Sequence, residues 1–340
     1  MTRNGSAVWE GCMSKWNRTW LYSLAVVVVA MVVAPGRLRA DVDRGGDDDR
    51  GDDHGRGGGD HDRGPERVAF RLSDGNTMAG YVYREERHAP FVIMVHGASD
   101  THTVFDFAPG YRAARLLADR GYGVMTVDRV GYGASSHPDG DSLSFATAAH
   151  QLHDVIHAVR GGALGFRPPA IIVLGPSVGA DITLVEAGTY HDVDGVVICA
   201  NTDQLQPALF QVDIGALFAQ GPYFDFGVEF RTQFFYALQF ADPRIVALDN
   251  ATRSLVPRAE IMSALGGESA PFRAAIDVPV FLLQAEDDHL FVPENDTALF
   301  TSSPDVTFTL LHDTGHKMFS HRTTRITAIE TVANWLRSRF

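Results

Sequence analysis

Hydrophobic residues alternate between short strand-like runs and helical repeats from residue 67 onward. Val68–Leu72 and Ala79–Arg84 flank Ser73-Asp74-Gly75-Asn76, a turn-forming tetrapeptide that predicts a hairpin. Phe91–Val95 is a continuous apolar run, the pattern of a strand buried on both faces. Tyr111–Arg120 has helical spacing, and Gly123–Val127 returns to strand. Phe145–Val159 repeats apolar residues at helical intervals, and Ala170–Leu174, Gly195–Ala200, Val278–Gln284 and Thr307–Leu311 read as further strands. Thr324–Arg339 closes the chain as an amphipathic helix. Strands separated by helix-length segments predict an α/β fold, a mostly parallel sheet with helices on both faces.

One interval breaks this rhythm. More than seventy residues separate the strand ending near Ala200 from the one starting near Val278. They carry Phe210, Phe218, Tyr223, Phe224, Phe226, Phe230, Phe234, Phe235, Tyr236 and Phe240. A helical cap inserted at about residues 204–275 accounts for them. Its rings either build the insertion's own small core or line a site for an apolar compound.

The N-terminus follows other rules. Lys15 and Arg18 precede the apolar run Trp20–Ala34, and Leu38 and Ala40 form an imperfect small-residue cleavage site. That run is shorter than the roughly 20 residues of a membrane span, so residues 1–40 read as a signal peptide. The implied location is secreted or periplasmic; the alternative is an uncleaved anchor with the domain outside the cytoplasm. Cleavage would leave no stable membrane insertion. Residues 41–66 are nearly all Asp, Gly, Arg and His, a solvated linker with no apolar group to build a core. Their Asp and His could hold a divalent cation weakly, but they lack the apolar repeat of glycine-rich calcium sites.

Composition narrows the class. The chain has 340 residues, 45% of them hydrophobic, enough for one large domain or two small ones. A formal charge of −13 with no basic stripe argues against nucleic acid as a partner. Cys12 lies in the targeting segment, which leaves Cys199, within a strand-like run, as a structural thiol and excludes an internal disulfide in the mature chain. The sequence leaves the oligomeric state open.

The candidate chemistry begins at Gly175-Pro176-Ser177-Val178-Gly179, where the run Ile171–Leu174 gives way to a helical pattern. A serine hydroxyl is a weak nucleophile until it is presented to a base and lifted clear of its own backbone. A sharp strand-to-helix turn does both, and residues without Cβ on either side relieve the crowding there. Pro176 is tolerable because the last residue of a strand can lose its N–H. A base and an orienting carboxylate must come from other loops on the same sheet edge. Ala285-Glu286-Asp287-Asp288-His289 and His312-Asp313-Thr314-Gly315-His316 follow the last two strands, in the order Ser, Asp, His.

From residue 67 to 340 these features resemble the α/β-hydrolase family. The resemblance implies an α/β-hydrolase fold with Ser177 as nucleophile and His316, in Gly315-His316, as base. Ala285-Glu286-Asp287-Asp288 followed by Val292-Pro293 is similar to the family's Gly-x-x-Asp segment and implies Asp288 as the acid. Asp287, and Asp203 after the preceding strand, stand as alternatives. His96-Gly97-Ala98-Ser99 resembles the His-Gly turn that carries the oxyanion hole, which implies the backbone N–H groups of Ala98 and Val178 as donors, with His96 a structural hydrogen-bonder. His289, His312 and His321 read as surface or structural. Asp128-Arg129-Val130-Gly131-Tyr132-Gly133-Ala134-Ser135-Ser136 is similar to the family's bracing turn; it lacks the third glycine and downstream acid of a dinucleotide site.

The expected function is an exported, esterase- or lipase-like serine hydrolase that cleaves an ester of a small-to-medium apolar compound through a Ser-His-Asp triad and an acyl-enzyme. No cofactor and no metal is expected. Acyl transfer or C–C hydrolysis by the same triad, and a non-catalytic binding protein of this fold, are the alternatives.

Overall fold

The computed structural model describes residues 64–84 and 87–340. The expectations for residues 1–40 and for most of 41–66 lie outside the described residues. Glu66, assigned from sequence to the linker, instead opens the first strand.

The strands are β1 (Glu66–Arg71), β2 (Thr77–Arg84), β3 (Phe91–Val95), β4 (Gly123–Asp128), β5 (Ile171–Pro176), β6 (Gly195–Cys199), β7 (Tyr223–Phe224), β8 (Val256–Pro257), β9 (Val280–Ala285) and β10 (Val306–Leu311). Eight of them form one sheet in the order β1-β2-β4-β3-β5-β6-β9-β10. The predicted hairpin is present, with Arg71 opposite Thr77. β2 also runs antiparallel to β4, and from β4 to β10 every pairing is parallel.

Period-two alternation along each central strand feeds two cores. Phe91, Ile93 and Val95 of β3 join Val173, Ile198 and Leu282 on one face. Val92 and Met94 join Ile172, Leu174, Val197 and Leu283 on the other. The first face is covered by α2 (Phe145–Gly161) and α3 (Val178–Tyr190), the second by α1 (Ala113–Ala118) and α8 (Arg325–Arg337). All five residues of β3 are fully buried, which is why this strand reads as an unbroken apolar run.

Local chemistry sets the helix ends. The Ser144 hydroxyl accepts the Thr147 N–H at 3.2 Å, and Gly162 ends α2 in the left-handed conformation. α1 is shorter than the predicted Tyr111–Arg120, because Tyr111 is held in a bridge to Ala108.

Between β6 and β9 the insertion folds as α4 (Ile214–Phe218), α5 (Gly227–Phe235), α6 (Pro243–Ala251) and α7 (Arg258–Leu265), with β7 paired to β8. Phe234, Phe235, Tyr236, Ala241 and Val246 form its own apolar cluster.

Sheet order places the candidate site. β4 follows β3 on one side, and β5 lies against β3 on the other, so the loops leaving β3 and β5 part in opposite directions. Ligands of open α/β sheets bind in the crevice opened by such a switch. Here α3 packs hard against both strands: a Cβ on Gly175 would sit 2.2 Å from the Gly179 carbonyl oxygen, and one on Gly179 would sit 2.1 Å from the Val95 carbonyl oxygen. Neither obstacle is a side chain that could rotate away. Gly179→Ala is therefore expected to cost at least about 3 kcal/mol, the upper end of overpacking penalties, measured as the shift of the urea unfolding curve. A loss well below about 1 kcal/mol would mean that α3 can lift off β3 freely.

Candidate active site

Ser177 lies between the end of β5 and the start of α3 with φ 54° and ψ −128°, a backbone conformation that costs a non-glycine residue of order 1–3 kcal/mol. Pro176 is the last residue of β5, opposite Cys199, where its missing N–H leaves the ladder intact. Val178 opens α3, so its N–H belongs to the first turn and has no intrahelical acceptor. Ser177, Ala98 and His316 line one small cavity together, and Ser177, Ala98 and Val178 line a second, larger one.

His316 leaves the loop after β10, and its Nδ1 is 2.8 Å from Asp288 Oδ2. The other Asp288 oxygen accepts the N–H groups of Leu290 at 2.8 Å and Phe291 at 3.1 Å, which fixes the carboxylate plane. Asp287 is half-buried, its own N–H donating to the Thr314 carbonyl. Asp203 pairs with Arg273 at 2.8 Å. Of the three aspartates weighed from sequence, the structure brings Asp288 to the imidazole. Phe235 and Phe291 each lie 5.7 Å from the His316 ring, so the imidazole is walled by apolar surface.

The other histidines have different partners. His312 pairs with Glu286 at the surface, and His289 meets the Gln233 carbonyl at 2.8 Å. His321 is buried, accepts the Ala237 N–H at 3.1 Å, and is held by burial down to about 4. His96 is fully buried; burial and then the Arg129 charge push it down to about 3, so it stays neutral. Its Nε2 accepts the Arg129 N–H at 3.2 Å and its Nδ1 lies 2.8 Å from the Gly97 carbonyl.

Two buried ion networks hold the loop after β3. Arg129 donates to the carbonyls of His96 at 2.9 Å and Gly97 at 3.1 Å, and pairs with Glu260 of α7 at 2.6 Å. The Gly97 carbonyl and the Ala98 N–H belong to one planar peptide and point in opposite directions. Anchoring the carbonyl on Arg129 therefore fixes the direction of the Ala98 N–H. On the other side, Arg231 of α5 donates to the Ser99 carbonyl at 3.1 Å and pairs with Asp249 of α6. Lys317, next to His316, contacts Asp100 and Asp249 at 2.6 Å each. The insertion, the loop after β3 and the histidine loop are thereby joined by buried charges.

Sequence reasoning did not single out these networks. Arg129 stands inside the turn after β4 and Lys317 beside His316, but their partners are remote: Glu260 lies 131 positions from Arg129. The turn itself braces as expected. Asp128 accepts the N–H groups of His102 and Ala134. Burial opposes its ionisation, but the His102 imidazole at 2.8 Å together with these bonds outweighs it and holds the carboxyl down at about 2.

The larger cavity has a volume of about 280 Å3 and walls of Leu209, Phe210, Phe226, Phe230, Ile261 and Leu290, among others. Phe210, Phe226, Phe230 and Phe235 of the insertion line it, while Phe224 and Tyr236 are buried in packing. Both readings of the aromatic segment thus apply, to different rings. Among the described residues, Asp181 is the one acidic group in this wall. Burial raises it to about 6, against the opposing bonds from Ser269 and Asn201.

The pattern shared by the alpha/beta hydrolase family matches residues 92–328. The chain belongs to that family. Among solved structures it is similar to a thermophilic esterase from Thermogutta terrifontis (20% identity, TM-score 0.62, covering 80% of this chain and 98% of that one). It is also similar to a monoglyceride lipase from Saccharomyces cerevisiae (18% identity, TM-score 0.59, 82% and 96%). At these identities the likeness is one of fold. A serine hydrolase-like protein of Dictyostelium discoideum is 24% identical over 135 residues, which is 39% of this chain but only 34% of that protein.

Asp181 gives a pH signature. Its folded value of about 6 exceeds the ordinary 3.8, so the folded state holds a proton that the unfolded state has lost. Its contribution to stability is full below pH 3.8 and lost as pH rises to about 6, a swing on the order of 3 kcal/mol. Asp181→Asn is expected to flatten this part of the stability–pH curve and to be the more stable protein at pH 8. Parallel curves for the two proteins would contradict a raised Asp181.

Proposed function

We propose that this protein is an exported serine hydrolase that cleaves esters of small-to-medium apolar compounds. The observation that carries this reading is Ser177, raised on its strained turn into a cavity shared with His316, whose imidazole is held by Asp288. Ser177 Oγ attacks the acyl carbonyl and His316 Nε2 takes its proton. Asp288 holds the Nδ1–H and stabilises the imidazolium. The oxyanion is met by the N–H groups of Ala98 and Val178, each such donor being worth roughly 2.7–4 kcal/mol in the transition state. Arg129 and Glu260 act through the Gly97–Ala98 peptide by fixing its plane.

His316 next protonates the departing alcohol oxygen. It then deprotonates a water that attacks the acyl-enzyme, and the acid leaves with Ser177 restored. The cavity supports the choice of substrate: its walls are almost wholly apolar, and about 280 Å3 is near the lower limit of small-molecule sites, roughly 300 Å3. Export rests on the run Trp20–Ala34 behind Lys15 and Arg18.

A fluorophosphonate probe and a series of 4-nitrophenyl esters test the reading. Wild type should take up the probe and hydrolyse medium-chain esters faster than acetate. Ser177→Ala should lose labelling and at least about 10³-fold in turnover. Equal labelling of the two proteins would refute a nucleophilic Ser177.

A further inference from the structure

Away from Ser177, helices α2 and α3 pack together and bring three metal-ligating side chains to one place. His153 comes from α2, Glu186 from α3, and Asp192 from the loop after α3. Glu186 lies about 12 Å along α3 from Val178, at 1.5 Å per residue. It is fully buried, and among the described residues neither of its carboxylate oxygens meets a hydrogen-bond donor; Asp192 Oδ1 is also buried without one. The other Asp192 oxygen is 2.8 Å from His153 Nδ1, which in turn lies 4.0 Å from Glu186 Oε1. One ligand atom from each of the three residues fits within 4.8 Å of the others.

Three buried acceptors without donors are costly, because each has given up its water. A proton is the simplest remedy. Burial and then Asp192 hold the Glu186 carboxyl well above the usual carboxylate range, which favours a proton shared by the pair. Its arithmetic falls short, however. One O–H shared from Glu186 to Asp192 supplies a single donor and leaves the second Glu186 oxygen without a partner. A divalent cation serves several oxygens at once and offsets the burial of two negative charges.

We propose that His153, Glu186 and Asp192 bind a divalent transition cation of the zinc class, with water completing the coordination. The donor set selects the metal. Calcium and magnesium favour oxygen donors throughout, whereas imidazole with carboxylates suits zinc. His153 and Asp192 are partly exposed, with side chains 26% and 20% accessible, which gives the ion a way in. Tyr190 stacks on the His153 ring at 4.0 Å, and Arg160 donates to the Asp192 carbonyl at 2.7 Å, so the imidazole and the loop are already oriented. On binding, Glu186 releases its proton to solvent, His153 offers its Nδ1 lone pair in the tautomer protonated at Nε2, and the ion takes the place of these protons against Asp192. The ion would lock α2 to α3, a structural role remote from the hydrolytic chemistry.

Titration calorimetry with zinc sulfate, on the whole protein stripped with EDTA, tests the site. Glu186→Gln copies the shape of the protonated acid, so it is expected to fold, and it separates this site from weak binding by the Asp- and His-rich residues 41–63. Wild type should show a saturable zinc site and a raised thermal midpoint with zinc, and Glu186→Gln should bind at least tenfold more weakly with no such rise. If Glu186→Gln fails to fold, Asp192→Asn, at a partly exposed position, gives the same readout. Zinc binding that is absent from wild type, or that the variant leaves unchanged, overturns the proposal and leaves a carboxyl pair sharing a proton.

Discussion

Everything at the candidate site depends on how closely α3 approaches β3 and β5. The carbonyls of Gly179 and Val95 occupy the space that side chains at Gly175 and Gly179 would need. That approach forces Ser177 into a left-handed backbone at the end of β5, where it lines the cavity next to the first N–H of α3. The strain is sustained by the packing around it: β3 and most of β5 are fully buried, and α3 is buried over its first ten residues. A local conformation that is costly alone becomes the cheapest one available once the sheet and helix have docked.

The same logic extends to the loop facing Ser177. Its peptide groups are held by Arg129 on one side and Arg231 on the other, and both guanidinium groups are paired with carboxylates from the insertion. Buried ion pairs of this kind contribute little net stability, since desolvation offsets their attraction. They do define geometry: a loop whose successive peptides are each anchored on a fixed charge does not reorganise when charge develops nearby. The insertion thus acts in two ways, as apolar wall of the cavity and as counter-charge for the loop.

Much of this was legible in the sequence. Strands such as Phe91–Val95 declared themselves because burial on both faces leaves no polar position, and the elbow because only residues without Cβ fit there. The ends of elements were less legible: a bridge at Tyr111 shortened α1, and Glu66 joined β1 in spite of its charge. Asp287 and Asp288 could not be separated by spacing, since adjacent loop residues differ only in the direction their side chains take. The Asp288 oxygens are settled by the N–H groups of Leu290 and Phe291, a local turn with no periodic signature. Least visible were the charge networks, whose partners meet only after the insertion folds back over the sheet. The unpartnered Glu186 was equally hidden, because a lone glutamate in a helical repeat looks solvated until its neighbours are known.

The central claim is that chemistry passes through an acyl group on Ser177. Acid-quenched mixing with a slowly deacylated 4-nitrophenyl ester, followed by intact-mass and peptide analysis, tests it most directly. The account predicts a burst of nitrophenol matched by one acyl group per chain, carried on the peptide that contains Ser177. Steady turnover with no acyl-enzyme under conditions where deacylation is slow, or an acyl group on another residue, would contradict it.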